Sequence, residues 1–183
     1  YYESRIVFSN YPRNETLTNF PVLLVFDTNI PGFPYDDFQT ADGADLRVLA
    51  DDGVTPLNFE IEEWNPSGRS CVWVQVPYFT NDCAVRARWA DPTATGVPDS
   101  AGNGATWSNG FVGVWHLAET NGPHLDGSPN LATARVTQVS VQGVAAGIGS
   151  TMLLHLGSVV AGAGSRIATP FVNLALVPEA GSS

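Results

Sequence analysis

Four aspartates, Asp42, Asp45, Asp51 and Asp52, fall within a short stretch that also holds Gly43 and Gly53. Calcium takes several oxygen ligands, often from Asp-rich loops, so these four are a candidate Ca2+ site. Their spacing is not that of an EF-hand loop. Aspartate also gathers in turns, where its carboxylate bonds the nearby backbone. Glu60 and Glu62, in Asn-Phe-Glu-Ile-Glu-Glu-Trp, are a second candidate. On a strand they share one face, roughly 7 Å apart, near the separation of glycosidase carboxylate pairs. Alternation with Phe59 and Ile61 reads more simply as the wet face of a half-buried strand. Trp64 and Trp107 lie at strand or loop ends and are candidates to stack on sugar rings. His116 and Glu119 are three apart, which is one face on a helix and opposite faces on a strand. No G-x-S-x-G occurs, and the three histidines (116, 124, 155) have no partner recognisable from spacing. No enzymatic activity and no cofactor beyond calcium are therefore expected.

The elements that must position these residues are strands. Ser4–Asn10, Phe20–Asp27, Leu46–Gly53, Leu57–Trp64, Ser70–Phe79 and Cys83–Asp91 are short runs rich in β-branched and aromatic residues. Gly, Pro, Asn and Asp bound them. Val72, Val74 and Val76 share one face of their run. Val85, Ala87 and Trp89 share a face of the next, with Arg86 and Arg88 opposite. This period of two predicts an all-β protein, an antiparallel, jelly-roll-like β-sandwich over residues 1–90. Residues 91–110 are rich in Gly, Pro, Ser, Thr and Asn and read as a linker or long loop. Residues 111–183 read as a second β region. Phe111, Val112, Val114 and Trp115 favour a strand after the Asn109-Gly110 turn. That places His116 and Glu119 on opposite faces and argues against a ligand pair.

The chain carries 18 acidic residues and 8 basic ones, all arginine, for a net charge of −10. Nucleic-acid binding rests on clustered Lys and Arg and is not expected. The absence of lysine excludes a P-loop and Schiff-base chemistry. Richness in Gly, Pro, Asn, Thr and Ser predicts an extracellular or cell-surface protein, and the start at Tyr1 fits a removed leader. Residues 144–164 are long enough for a membrane span, but His155 and many Gly and Ser break them into strand-length pieces, so no span is expected. If residues 70–77 and 83–89 are the arms of one hairpin, Cys71 and Cys83 are several residues apart along the ladder and read as apolar thiols; a disulfide is the alternative. Asn14-Glu15-Thr16 is an N-glycosylation sequence.

Three segments recur together in one known family. They are Asp42-Gly43-x-Asp45-Leu46-Arg47, the acidic strand Glu60-x-Glu62-x-Trp64, and Trp73-Val74-x-Val76-Pro77; Trp115-His116-Leu117-x-Glu119 follows. In this the chain resembles the bacterial and archaeal family catalogued as domain of unknown function 2341. The later segment is similar to the opening of a LamG-type, concanavalin-A-like jelly roll. The resemblance implies extracellular, multidomain β-sandwich proteins of surfaces and assemblies, with no established reaction. The stretch from Ser108 onward is too short for a complete jelly roll, so the second region is expected to be incomplete or merged with the first. Residues 136–165 hold no Asp, Glu, Lys or Arg, and an incomplete sheet leaves an open edge. The expected partners are therefore other copies of the chain, joined through sheet edges or termini. Ile6 and Phe8 near one end and Phe171, Leu174 and Leu176 near the other are the candidate contacts. The alternative is a glycan-binding module with polysaccharide as partner.

Overall fold

The computed structural model describes residues 1–30, 33–94, 96–116, 119–121 and 123–131, together with the backbone of four later strands. The chain divides into two compact units, Tyr1–Gly110 and Phe111–Ser183. It is all-β, with short 3-10 turns at Tyr35–Asp37, Asp99–Ala101 and Ala105–Trp107. Among the described residues no helix is long and apolar enough to cross a membrane.

The described residues of the first unit form six strands: β1 (Tyr2–Val7), β2 (Leu17–Asp27), β3 (Arg47–Ala50), β4 (Phe59–Glu63), β5 (Arg69–Phe79) and β6 (Ala84–Trp89). They form two antiparallel three-stranded sheets, in the orders β1-β6-β3 and β2-β5-β4. Alternation decides which side of each strand is buried. Val85, Ala87 and Trp89 of β6 are at most 1% exposed, while Arg86 and Arg88 between them reach outward. Val48 of β3 joins them from the same sheet, and Val72, Val74 and Val76 of β5, Leu24 and Phe26 of β2 and Phe59 of β4 meet them from the other. One apolar layer between two sheets is a β-sandwich-like arrangement. β5 and β6 are consecutive, yet they lie in opposite sheets and are not the arms of one hairpin. Cys71 and Cys83 are both free thiols.

One end of this layer is aromatic. Phe33 stacks on Phe26 at 4.6 Å, and Phe38 lies between Trp64 at 4.8 Å and Trp89 at 5.7 Å. Such ring pairs add about 0.5–1.5 kcal/mol each beyond the area they bury. The loop that supplies Phe33 and Phe38 runs between β2 and β3, and it also carries Asp42 and Asp45. Residues 91–110 contain two of the 3-10 turns, fall within the first unit and bury Thr106 and Trp107.

In the second unit β7 (Arg135–Thr137) pairs with β10 (Arg166–Ala168), and β8 (Val141–Ala145) pairs with β9 (Ser150–Leu153). Both pairings are antiparallel. The strand expected over 111–116 is not formed. The Val114 N–H donates to the Asp126 carboxylate at 2.7 Å and its carbonyl accepts from Gly127 at 2.7 Å, so a loop contact takes the place of a ladder there. Phe171, Leu174 and Leu176 lie outside the described residues.

Candidate functional site

The four aspartates have four separate roles. Asp45 is fully buried and accepts four hydrogen bonds. Its Oδ1 takes the Thr40 N–H and hydroxyl, and its Oδ2 takes the N–H groups of Gln39 and Ala90, all within 3.3 Å. A carboxylate has about four lone-pair positions, and here each has a donor. Burial alone would raise the Asp45 pKa, but the amides of Gln39 and Ala90 and the Thr40 hydroxyl hold it below the ordinary value. Asp42 is exposed and closes a local turn by accepting the Ala44 N–H. Asp51 takes the Arg5 guanidinium in a two-pronged pair at 2.6 and 2.8 Å. Asp52 accepts from Val54, Thr55 and the Thr55 hydroxyl, which lower its pKa to about 2. Among the described residues no group of three or more His, Cys, Asp or Glu is placed to hold a metal.

The rest of the Asp-Gly-x-Asp-Leu-Arg segment is also tied to the fold. Gly43 has φ +72°, and a Cβ there would lie 2.5–2.8 Å from the Trp64 indole. Glycine is required on both counts. Leu46 is fully buried in the core. The Arg47 guanidinium donates to the carbonyls of Ala44, Leu46 and Gly96, fastening the 91–110 stretch to the start of β3.

Of the 8 arginines, Arg5, Arg47, Arg86 and Arg88 sit on the outer face of β1-β6-β3. The register sets Arg5 opposite Arg86 and Arg47 opposite Arg88. Like charges directly opposed are destabilising. Glu3 offsets this by pairing with Arg86 and Arg88, each at 2.7 Å, and Asp51 bridges Arg5 and Arg86. The Glu3 carboxyl is held below its usual range, chiefly by Arg88 and then Arg86.

Glu60 and Glu62 do share the outer side of the other sheet, but each carboxylate has an indole on it. The Trp107 Nε1–H donates to Glu60 at 2.5 Å and the Trp73 Nε1–H to Glu62 at 2.6 Å. The two indoles are 5.2 Å apart. Trp107 is only 5% exposed, which leaves no open face for a sugar ring. Trp64 is half-buried over Gly43 and against Phe38. The two proposed stacking residues therefore do not form one platform.

Spacing missed the second unit's polar cluster. Glu119 pairs with His124: Nδ1 of the fully buried His124 lies 2.5 Å from Glu119 Oε2, and Oε1 accepts the Leu125 N–H. Burial raises the Glu119 pKa, but His124 and the Leu125 amide outweigh it and the net direction is down. The buried Asp126 accepts from Val114, Ser128 N–H and the Ser128 hydroxyl.

Of the expected assembly residues, Ile6 and Phe8 pack against the first unit's own core, Phe8 with its ring edge on Phe79. The outer strands carry features that resist pairing with another chain. Pro21 lies opposite Gln75, whose N–H points to the β4 side, so Pro21 lacks an N–H where β2 would otherwise present one to the open edge. β4 has an irregular register between Ile61 and Glu63, β3 is only 4 residues long, and β1 presents Glu3 and Arg5. Prolines, bulges, shortness and charge are the devices that blunt exposed edges. A pocket of about 160 Å3 lined by Ala50, Leu57, Val76, Tyr78 and Cys83 is apolar and presents no acid–base pair.

No family model, no curated protein and no solved structure matches the chain.

Proposed function

We propose that the chain is a non-catalytic module of an extracellular or cell-surface assembly, structural or adhesive in role, whose copies associate through the second unit. The observation that carries this is an apolar surface there. Val112 is 54% exposed and Leu131 71%. Asn130 holds them together by donating to the carbonyls of Phe111 and Val112 at 3.1 and 2.9 Å. Exposed apolar patches on secreted domains mark contacts with other proteins. The uncharged segment 136–165 belongs to the same unit. The first unit supports the reading by contrast. Glu3, Asp45, Asp51, Asp52, Glu60 and Glu62 are engaged with its own backbone, arginines, hydroxyls and indoles, and its outer strands are blunted.

Light scattering and electron microscopy of the intact chain over a concentration series test this. Concentration-dependent oligomers or polymers are expected, and the double substitution V112K/L131K should reduce them at least tenfold. An intact chain that stays monomeric at every concentration, or a double variant that assembles like the parent, would overturn it.

A further inference from the structure

We propose that Asn14 is an acceptor for an N-linked glycan. Asn14-Glu15-Thr16 is an Asn-x-Thr sequence with a permitted middle residue. Its one rival of that form, Asn65-Pro66-Ser67, is disqualified by proline. In the weaker pattern Asn81-Asp82-Cys83, the Asn81 side chain is engaged. Its Oδ1 accepts the Tyr11 N–H at 3.1 Å and its Nδ2 donates to Asp82 at 2.8 Å.

The loop geometry adds what the pattern lacks. Residues 12–16 are all exposed and lie between β1 and β2 with no regular structure. The Asn14 amide makes no hydrogen bond among the described residues, whereas its neighbours hold the loop out. The Tyr11 ring meets Phe79 edge-on at 5.2 Å, and its hydroxyl donates to Glu15 at 3.1 Å. An oligosaccharyltransferase therefore finds Asn14 on an accessible arch anchored at its base. The co-reactant is a lipid-pyrophosphate-linked oligosaccharide. Asn14 Nδ2 bonds to C1 of the first sugar, the C1–O bond to pyrophosphate breaks, the lipid pyrophosphate leaves and the amide releases one proton. The glycan then hangs where the chain passes from the outer strand of one sheet to the outer strand of the other. There it adds a hydrated screen to edges already blunted by Pro21 and by charge.

The inference rests on the extracellular reading, because the transferase works in the secretory route. The test is to express the full chain behind a cleavable leader in a glycosylating host and weigh all of it, secreted and retained. One oligosaccharide increment is expected, lost in N14Q and in T16A and kept in T16S. An unmodified parent chain, or an increment that persists in N14Q, would overturn the proposal. A bare but self-associating chain would sink the glycan alone; a glycosylated chain that never associates would sink the assembly reading alone.

Discussion

The Ala90 N–H donates to the Asp45 carboxylate at 2.9 Å, joining the loop before β3 to the residue after β6. Ala90 is left-handed, with φ +56°. That conformation costs a non-glycine residue about 1–2 kcal/mol. The buried carboxylate thus holds a strained turn in place as well as its own loop. Replacing it with an amide, D45N, sets N–H donors against N–H donors in a site closed to water. We expect a loss of about 2–4 kcal/mol, since buried donors without acceptors cost about 1–3 kcal/mol each. Chemical denaturation of D45N measures it, and an unchanged midpoint would refute the clamp.

Relief of the strain at Ala90 is a separate test. A90G should gain about 0.5–1 kcal/mol, because glycine adopts φ > 0 freely and the gain is partly offset by a more disordered unfolded chain. A rise in the denaturation midpoint is the expected result.

Trp64 reports on Gly43. A Cβ in G43A must displace the indole and also occupy a left-handed backbone. Overpacking costs about 1–3 kcal/mol and the backbone about 1–2 kcal/mol more. The melting temperature should fall, and tryptophan emission should shift to the red as the ring moves into water.

The arginine face predicts a salt-sensitive variant. In E3Q, Arg86 and Arg88 lose their shared counter-charge while Arg5 and Arg47 stay opposite them. The pairs are partly exposed, so the loss should be about 1 kcal/mol in low salt. It should shrink as salt screens the repulsion. Denaturation at two ionic strengths decides it.

Acid should destabilise the fold within a defined window. Asp45, Glu3 and Asp51 are all lowered, and Asp52 is lowered to about 2. A group with a depressed folded pKa contributes stability above its unfolded value, which is about 4 for carboxylates. That contribution is lost as the pH falls through the folded pKa. Stability should therefore be flat with respect to these groups above about pH 5 and decline from pH 4 toward pH 2. A profile with no decline in that range would contradict the pairings.

Alternation was legible wherever one strand face is buried. Val85, Ala87 and Trp89 against Arg86 and Arg88 appear in the sequence as they do in the fold. The pairing of strands was not legible. The short link Thr80–Cys83 looks like a hairpin turn, yet β5 and β6 part company into two sheets. Alternation tells which side is buried, not which neighbour is bonded. The anchoring role of Asp45 was not legible for a related reason. Its local spacing resembles a cation loop, and its decisive partner, Ala90, is 45 residues away. Trp107 looked like a loop tryptophan because nothing near it in sequence announces Glu60.

The register of β1 has a consequence for how the chain is made. Tyr2 pairs with Trp89 and Val7 with Ala84, so the first strand finds its hydrogen-bonding partner only after nearly ninety residues exist. At synthesis rates of about 5–20 residues per second, β1 waits on the order of 4–20 seconds on the growing chain. The β2-β5-β4 sheet can close before it, because its last strand ends at Phe79. Such long-range closure is characteristic of slow-folding β topologies. A chain released before residue 84 would be able to make one sheet and not the other. Its exposed Tyr1, Tyr2, Ile6 and Phe8 are what a chaperone would meet.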